Sequence, residues 1–177
     1  MITVDGQIGD FETLSAALYS NNPYIRSIQL SPNAIVTYVY PDDSVIIGYE
    51  INDDPNNSAS VALMRQTIQT VMMGPIDLVQ GGTGLIIRNP IYLDENYGQT
   101  FCGYATVILD VPDIFVNVRL ERLEEEGFSY VLEVDALTDD NLIQAETSHA
   151  AIGDDPVTAS CDVAQKTWYL SITPRTG

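Results

Sequence analysis

At 177 residues the chain can bury about 70% of its unfolded surface, so one domain or two small lobes can fold without a metal or a dense disulfide framework. Seven Lys and Arg against 25 Asp and Glu give a formal charge of −18, which repels phosphate backbones and anionic head groups and disfavours nucleic-acid and membrane-surface roles. No run approaches the roughly 20 apolar residues of a membrane span, and the start lacks a charged segment followed by an apolar one. The ends, Met1-Ile2-Thr3 and Pro174-Arg175-Thr176-Gly177, are expected to be those of an excised fragment whose signal or anchor segments were left out.

Phe11, Leu14, Ala17 and Leu18 recur at helical spacing before Asn21-Asn22-Pro23, which predicts a helix that stops ahead of the proline. Ile25 to Leu30 and Ile35 to Tyr40 are β-rich runs around Ser31-Pro32-Asn33, the residues of a hairpin turn. Past Asp42-Asp43 and the run Val45 to Glu50, Asp54-Pro55 supplies an N-cap and first-turn proline. The helix they open carries Val61, Met64, Ile68 and Val71 and is expected to end near Met73-Gly74-Pro75. Ile76 to Val79, Gly84 to Tyr92 and Phe101 to Leu109 read as three strands, punctuated by glycines and by Asn96-Tyr97-Gly98. Ile114, Val118, Leu120 and Leu123 predict a second helix closed by Gly127. Phe128 to Val134, Ile143 to Glu146, Val157 to Val163 and Thr167 to Ile172 then read as strands of a smaller second lobe. The order predicts an α+β fold with antiparallel sheets.

Catalytic motifs are scarce. Gln80-Gly81-Gly82-Thr83-Gly84 lacks the Gly-Lys-Ser/Thr of a phosphate loop and opens a strand, so it reads as a tight connection between strands or as the backbone wall of a pocket. His149, the single histidine, has no nucleophile nearby in sequence and reads as a surface residue. Asp42-Asp43, Asp53-Asp54, Asp139-Asp140 and Asp154-Asp155 fall at turns and helix starts, where short acidic side chains hydrogen-bond local backbone; they read as solvated turns, not a hydrolase pair. Glu121, Glu124, Glu125 and Glu126 form a solvated face at the end of the second helix.

Cys102 and Cys161 match no zinc or redox spacing; they read as two buried strand thiols, with a single disulfide as the alternative in an oxidising compartment. No metal and no cofactor is expected. Arg88, inside Leu85-Ile86-Ile87-Arg88-Asn89-Pro90-Ile91, is the informative cation, because an arginine in an apolar strand needs a carboxylate partner or an anionic ligand group. Glu50 or Asp77 could supply that partner. Tyr38, Tyr40, Tyr92 and Tyr104 lie on predicted strands, packed in a core or lining a pocket with their hydroxyls.

Several ordered stretches together are similar to the CHASE family of sensor domains: Ile25 to Pro41, Ile47 to Pro55, Gly74 to Tyr92, Phe101 to Asp110, and Asp155-Pro156-Val157-Thr158 with Trp168. The resemblance implies tandem PAS-like lobes with antiparallel sheets after an N-terminal stalk helix. Residues 1–22 would be the end of a mostly truncated stalk, 23–118 a membrane-distal lobe and 119–177 a membrane-proximal lobe. It implies an extracytoplasmic, non-enzymatic part of a cell-membrane receptor that senses a small molecule and feeds an intracellular histidine kinase or diguanylate cyclase, as a homodimer joined through the stalk. The alternative is a dimerisation or protein-interaction module with a vestigial pocket. In the plant cytokinin receptors of this family an aspartate in the distal lobe anchors the ligand. Glu50 stands at the similar position, a longer side chain that argues against assuming an adenine-type ligand. Met72, Gln80 and Tyr104 fall where the family's pocket residues lie, Thr106 shares a strand face with Tyr104, and Asp77, Arg88 and Tyr38 rank second.

Overall fold

The end of the first helix follows from its asparagines. In α1 (Phe11–Asn21) the side-chain amides of Asn21 and Asn22 donate to the carbonyls of Ala17 and Leu18 at 2.7 and 2.8 Å. The Leu18 carbonyl is one that the last helical turn leaves without a backbone partner, while the Ala17 carbonyl also accepts from Ser20 Oγ. The computed structural model describes residues 10–95, 98–137 and 141–175, so the Asn96-Tyr97 turn and the Asp139-Asp140 pair lie outside it. No helix among the described residues is long and apolar enough to cross a membrane.

Five strands form the first sheet: β1 (Ile25–Pro32), β2 (Tyr38–Tyr40), β3 (Val71–Asp77), β4 (Thr83–Glu95) and β5 (Gly98–Asp110). Their spatial order is β2-β1-β5-β4-β3, with every pairing antiparallel. The register sets Gln29, Thr106, Arg88 and Val71 side by side across four strands. Because side chains alternate between faces, the flanking rows Ser27–Ile108–Ile86–Met73 and Ser31–Tyr104–Pro90 share that face. The row Ile28–Val107–Ile87–Met72 lies on the other.

The two faces bury different cores. Over the first, α2 (Ser58–Thr67) and the segment before it bring Val36, Ile46, Ile51, Val61 and Met64 onto Val71 and Tyr104. On the second, Met72 and Leu85 pack with Val111 and Phe115 of α3 (Val111–Val118). That cluster continues into the second lobe through Leu132, Ala145, Ala164 and Trp168. A backbone bond from Met72 N to Ala164 O, 3.1 Å, joins the lobes as well.

The second sheet follows the short α4 (Glu121–Glu125). It orders β6 (Phe128–Asp135), β7 (Leu142–Thr147), β8 (Val157–Val163) and β9 (Lys166–Pro174) as β7-β6-β9-β8, again antiparallel. The chain is thus an α+β protein with two antiparallel sheets.

Four expectations need correction. The second-lobe edge strand β8 is exposed along its whole length, so Cys161 is an exposed thiol; Cys102 is half-buried and both are free. The helix expected to reach Met73 ends at Thr67, where Ile68 takes a left-handed φ of 55°. Val71 to Asp77 instead pairs with β4, because an apolar run that suits a helix also suits a sheet and here the strand pairing wins. The expected second helix is cut in two at Arg119, φ 53°. Of Ile35 to Tyr40, only Tyr38–Tyr40 joins the sheet, since Asn33 and Ala34 are left-handed and Ile35 makes an isolated bridge to Glu50; the run from Val45 forms turns.

Candidate functional site

A cavity of about 430 Å³ opens between the Gln29–Thr106–Arg88 row and the turn-rich segment 46–57, with the β3–β4 hairpin at its mouth. Ile46, Ile76, Ile86 and Ile108 give it apolar walls; Gln29, Tyr49, Asp54, Asn57 and Arg88 give it polar ones. The mouth hairpin is tied down from both sides. Leu78 N donates to Gly82 O at 2.9 Å and Gly81 N to Leu78 O at 2.8 Å. Gly81 and Gly82 supply the positive φ angles, +82° and +74°, that the turn requires. Gln80 donates through Nε2 to Asp43 Oδ2 at 3.0 Å, and its carbonyl accepts from Arg26 Nη2 at 3.1 Å. Arg26 is itself held by Asp110 at 3.0 Å.

Arg88 is the centre of this site. It is 3% exposed, and its guanidinium lies 5.7 Å from the centroid of the Tyr104 ring. Nε donates to Thr106 Oγ1 at 3.3 Å and Nη1 to Asn57 Oδ1 at 3.2 Å. Among the described residues no carboxylate pairs with it. Burial lowers its pKa to about 10, with Tyr104, Tyr49 and Asp54 opposing, so it is a cation at neutral pH. An unpaired buried charge is costly, which marks the position as one where stability alone does not explain the residue.

Asp54 reaches Arg88 only through a relay. Asn57 accepts from Arg88 and donates through Nδ2 to the Tyr49 hydroxyl at 2.9 Å, and that hydroxyl donates to Asp54 Oδ2. Every link runs in one direction from cation to carboxylate, so the bonds polarise one another. Asp54 also caps the 3-10 turn Pro55–Asn57 by accepting from Asn56 N at 2.8 Å, so the helix-start signal and the site share a residue. Burial, reinforced by Asp54, pushes the Tyr49 hydroxyl up to about 12, while the bond from Tyr49 lowers the Asp54 carboxyl. The stability that this pair contributes is complete above 3.8, the ordinary Asp value, and is lost as pH falls through the lowered one. Tyr49→Phe is therefore expected to lower stability by about 1 kcal/mol at pH 7. Urea melts at pH 7 and pH 3 check it: the gap between wild type and variant narrows in acid.

The eight residues singled out in the sequence fall into three groups. Asp77, Gln80 and Arg88 line the cavity. Tyr104 and Thr106 stand behind Arg88, both 1% exposed, with the Tyr104 hydroxyl donating to Asn52 Oδ1 at 2.9 Å. Glu50, Met72 and Tyr38 lie elsewhere. Glu50 is exposed beside Asp53, whose hydrogen bond raises its pKa. Its neighbour Tyr49 takes the wall position. Met72 is on the opposite sheet face, in the interlobe core. Tyr38 packs on α1, its ring centroid 5.7 Å from that of Phe11. Sequence reasoning missed Gln29, Tyr49 and Asn57, and gave Asp54 only as a helix cap. The only signal for Gln29 was its place in the alternation Ser27-Ile28-Gln29-Leu30-Ser31, which also fits a solvated face.

Elsewhere, His149 is an exposed partner of Glu124 at 3.0 Å, which also pairs with Arg175; surface pairs of this kind contribute little. No three His, Cys, Asp or Glu side chains among the described residues converge as a metal site.

Among the solved structures that share the fold are two ligand-binding receptor proteins. An extracellular ligand-binding receptor from Desulfohalobium retbaense is 16% identical with a TM-score of 0.71, covering 97% of this chain and 34% of its own. This chain thus spans about a third of that receptor. The ligand-binding domain of the Pseudomonas aeruginosa amino acid chemoreceptor PctB, solved with L-Arg, is also 16% identical, with a TM-score of 0.62 over 94% of this chain and 79% of its own. No curated protein sequence matches this chain. The sequence matches the family description "CHASE domain" over residues 8–147, through both the cavity-bearing sheet and the start of the second; the chain belongs to the CHASE domain family.

Proposed function

We propose that this domain is the extracytoplasmic sensing part of a membrane receptor, in which a small molecule enters the first-lobe cavity and biases an intracellular histidine kinase or diguanylate cyclase. The observation that carries the reading is the double duty of β4. Ile86 and Arg88 face the cavity, while Leu85 and Ile87 face the core shared with the second lobe. A ligand that fits one placement of β4 better than another shifts the lobe arrangement by its differential affinity and no more. Asp77, Gln80 and Arg88 are the contacts carried over from the sequence reading; Tyr104 and Thr106 hold Arg88 in place. The receptor would work as a homodimer joined through its stalk.

The cavity lies near the small end of the usual 300–1,000 Å³ range, which suits a metabolite rather than a peptide. The purified domain, screened by thermal shift against amino acids, nucleobases, amines and carboxylates, is expected to gain about 2.7 kcal/mol at 100 times the dissociation constant. For a domain of this size that is an upward shift of roughly 5–10 °C. Ile86→Trp, which fills the cavity from its apolar wall, should abolish the shift. A broad screen without a hit, or a hit indifferent to Ile86→Trp, overturns the reading in favour of a protein-interaction module.

A further inference from the structure

We infer that the ligand carries a single carboxylate and that Arg88 receives it. This rests on the cavity being the ligand site.

A guanidinium has five N–H donors in a planar fork. At Arg88 one is spent on Thr106 and one on Asn57, both neutral acceptors, so the positive charge is not cancelled by a contact. Those two bonds and the Tyr104 ring fix the plane of the group before any ligand arrives. Donors remain on the cavity side, and a planar two-oxygen anion is the partner that such a fork matches. The relay through Asn57 and Tyr49 points the same way. It keeps Asp54 close enough to temper the charge and too far to pair with it, leaving the direct position open.

The rest of the cavity narrows the class. Asp54 on the wall and the exposed Asp77 at the mouth, in a chain of net charge −18, repel a second negative group. The same two carboxylates favour donors or a cation on the remainder of the ligand. A small monocarboxylate, neutral or zwitterionic overall, satisfies both ends. A phosphate dianion or a dicarboxylate does not.

Simple acids and their amides serve as the probes. Glycine, L-alanine, L-proline, L-glutamine, lactate and 4-aminobutyrate are titrated into the wild-type domain, each against its primary amide, with inorganic phosphate and succinate as further arms. Midpoint shifts confined to members of the acid series are expected. Arg88→Met is expected to weaken the responding acid at least about 100-fold, since charge-assisted bonds to a buried group are lost, and Arg88→Lys to restore part of it. In the unliganded Arg88→Met domain the relief of a desolvated cation is set against the bonds lost by Thr106 Oγ1 and Asn57 Oδ1, so each titration is read against that variant's own unliganded midpoint. If that variant unfolds, the acid-against-amide comparison in the wild type still decides. Equal shifts from acids and amides, a stronger shift from phosphate or succinate, or silence from every acid overturns the inference. A nucleobase or amine hit that Ile86→Trp abolishes would then keep the sensor reading alive without it; no hit of any class sinks both.

Discussion

Gly103→Ala is expected to destabilise the domain by more than about 3 kcal/mol, an unusually large effect for one methyl group. Gly103 sits mid-strand in β5 at φ +146°, opposite Pro32 of β1 and Ile91 of β4. A Cβ built there would lie 2.3 Å from the Ser31 carbonyl oxygen and 2.9 Å from Pro32 Cα. Both obstacles are backbone, so no side chain can rotate away, and β1 and β5 must separate. Separation would also misalign Gln29 with Thr106, three residues along the same pairing, and loosen the support of Arg88. Gly48→Ala is the matched control. It too has a positive φ, +86°, but nothing lies within 4 Å of its added Cβ. It should cost only about 1–2 kcal/mol, the penalty of left-handed backbone alone. Urea denaturation of the two variants separates the cases. Equal losses would mean that the β1–β5 approach relaxes freely.

Most strands were legible in the sequence because long runs are bounded by glycine, proline or asparagine, and burial on both faces of the first sheet leaves near-continuous apolar stretches; β3, whose first residues read as helix, was the exception among the long strands. The helix ends at Thr67 and Val118 were not. Ile68 and Arg119 are left-handed without being glycine or asparagine, a conformation that local sequence does not announce. The site divides along the same line. Arg88 could be found because a cation among Ile and Leu is a local anomaly. Tyr49, Asp54 and Asn57 could not, because they belong to the site only after the turn-rich segment folds across the sheet. Their local meaning, a capped turn before a helix, is complete without it. Glu50 shows how fine the margin is. The bridge to Ile35 fixes the local backbone, and adjacent extended residues face opposite ways, so a one-residue offset exchanges a cavity residue for an exposed one.

Phe115→Ala is expected to cost about 3–5 kcal/mol and to weaken the joint between the lobes. Phe115 is 6% exposed and projects from α3 into the cluster formed by Met72, Leu85 and Val111, with its ring centroid 6.3 Å from that of Trp168. The second lobe has little to replace that contact. None of the β7 residues is buried, and β8 is exposed throughout, so the second sheet's buried side chains come mainly from β6 and β9. Trp168 is the chain's only tryptophan, so its emission reports this interface without labelling. In the wild type, emission and far-UV circular dichroism should give coincident unfolding curves, the mark of one cooperative unit. In Phe115→Ala the emission change should come first, as the second lobe loses its packing while the larger sheet persists. The same probe tests transmission, because a ligand that moves β4 acts on Leu85 and Ile87 and hence on the packing around Trp168. An emission change on ligand binding that is present in wild type and absent in Phe115→Ala, with the ligand still bound, would place the interlobe cluster on the signalling route. Coincident curves and an undiminished emission response in the variant would remove it from that role.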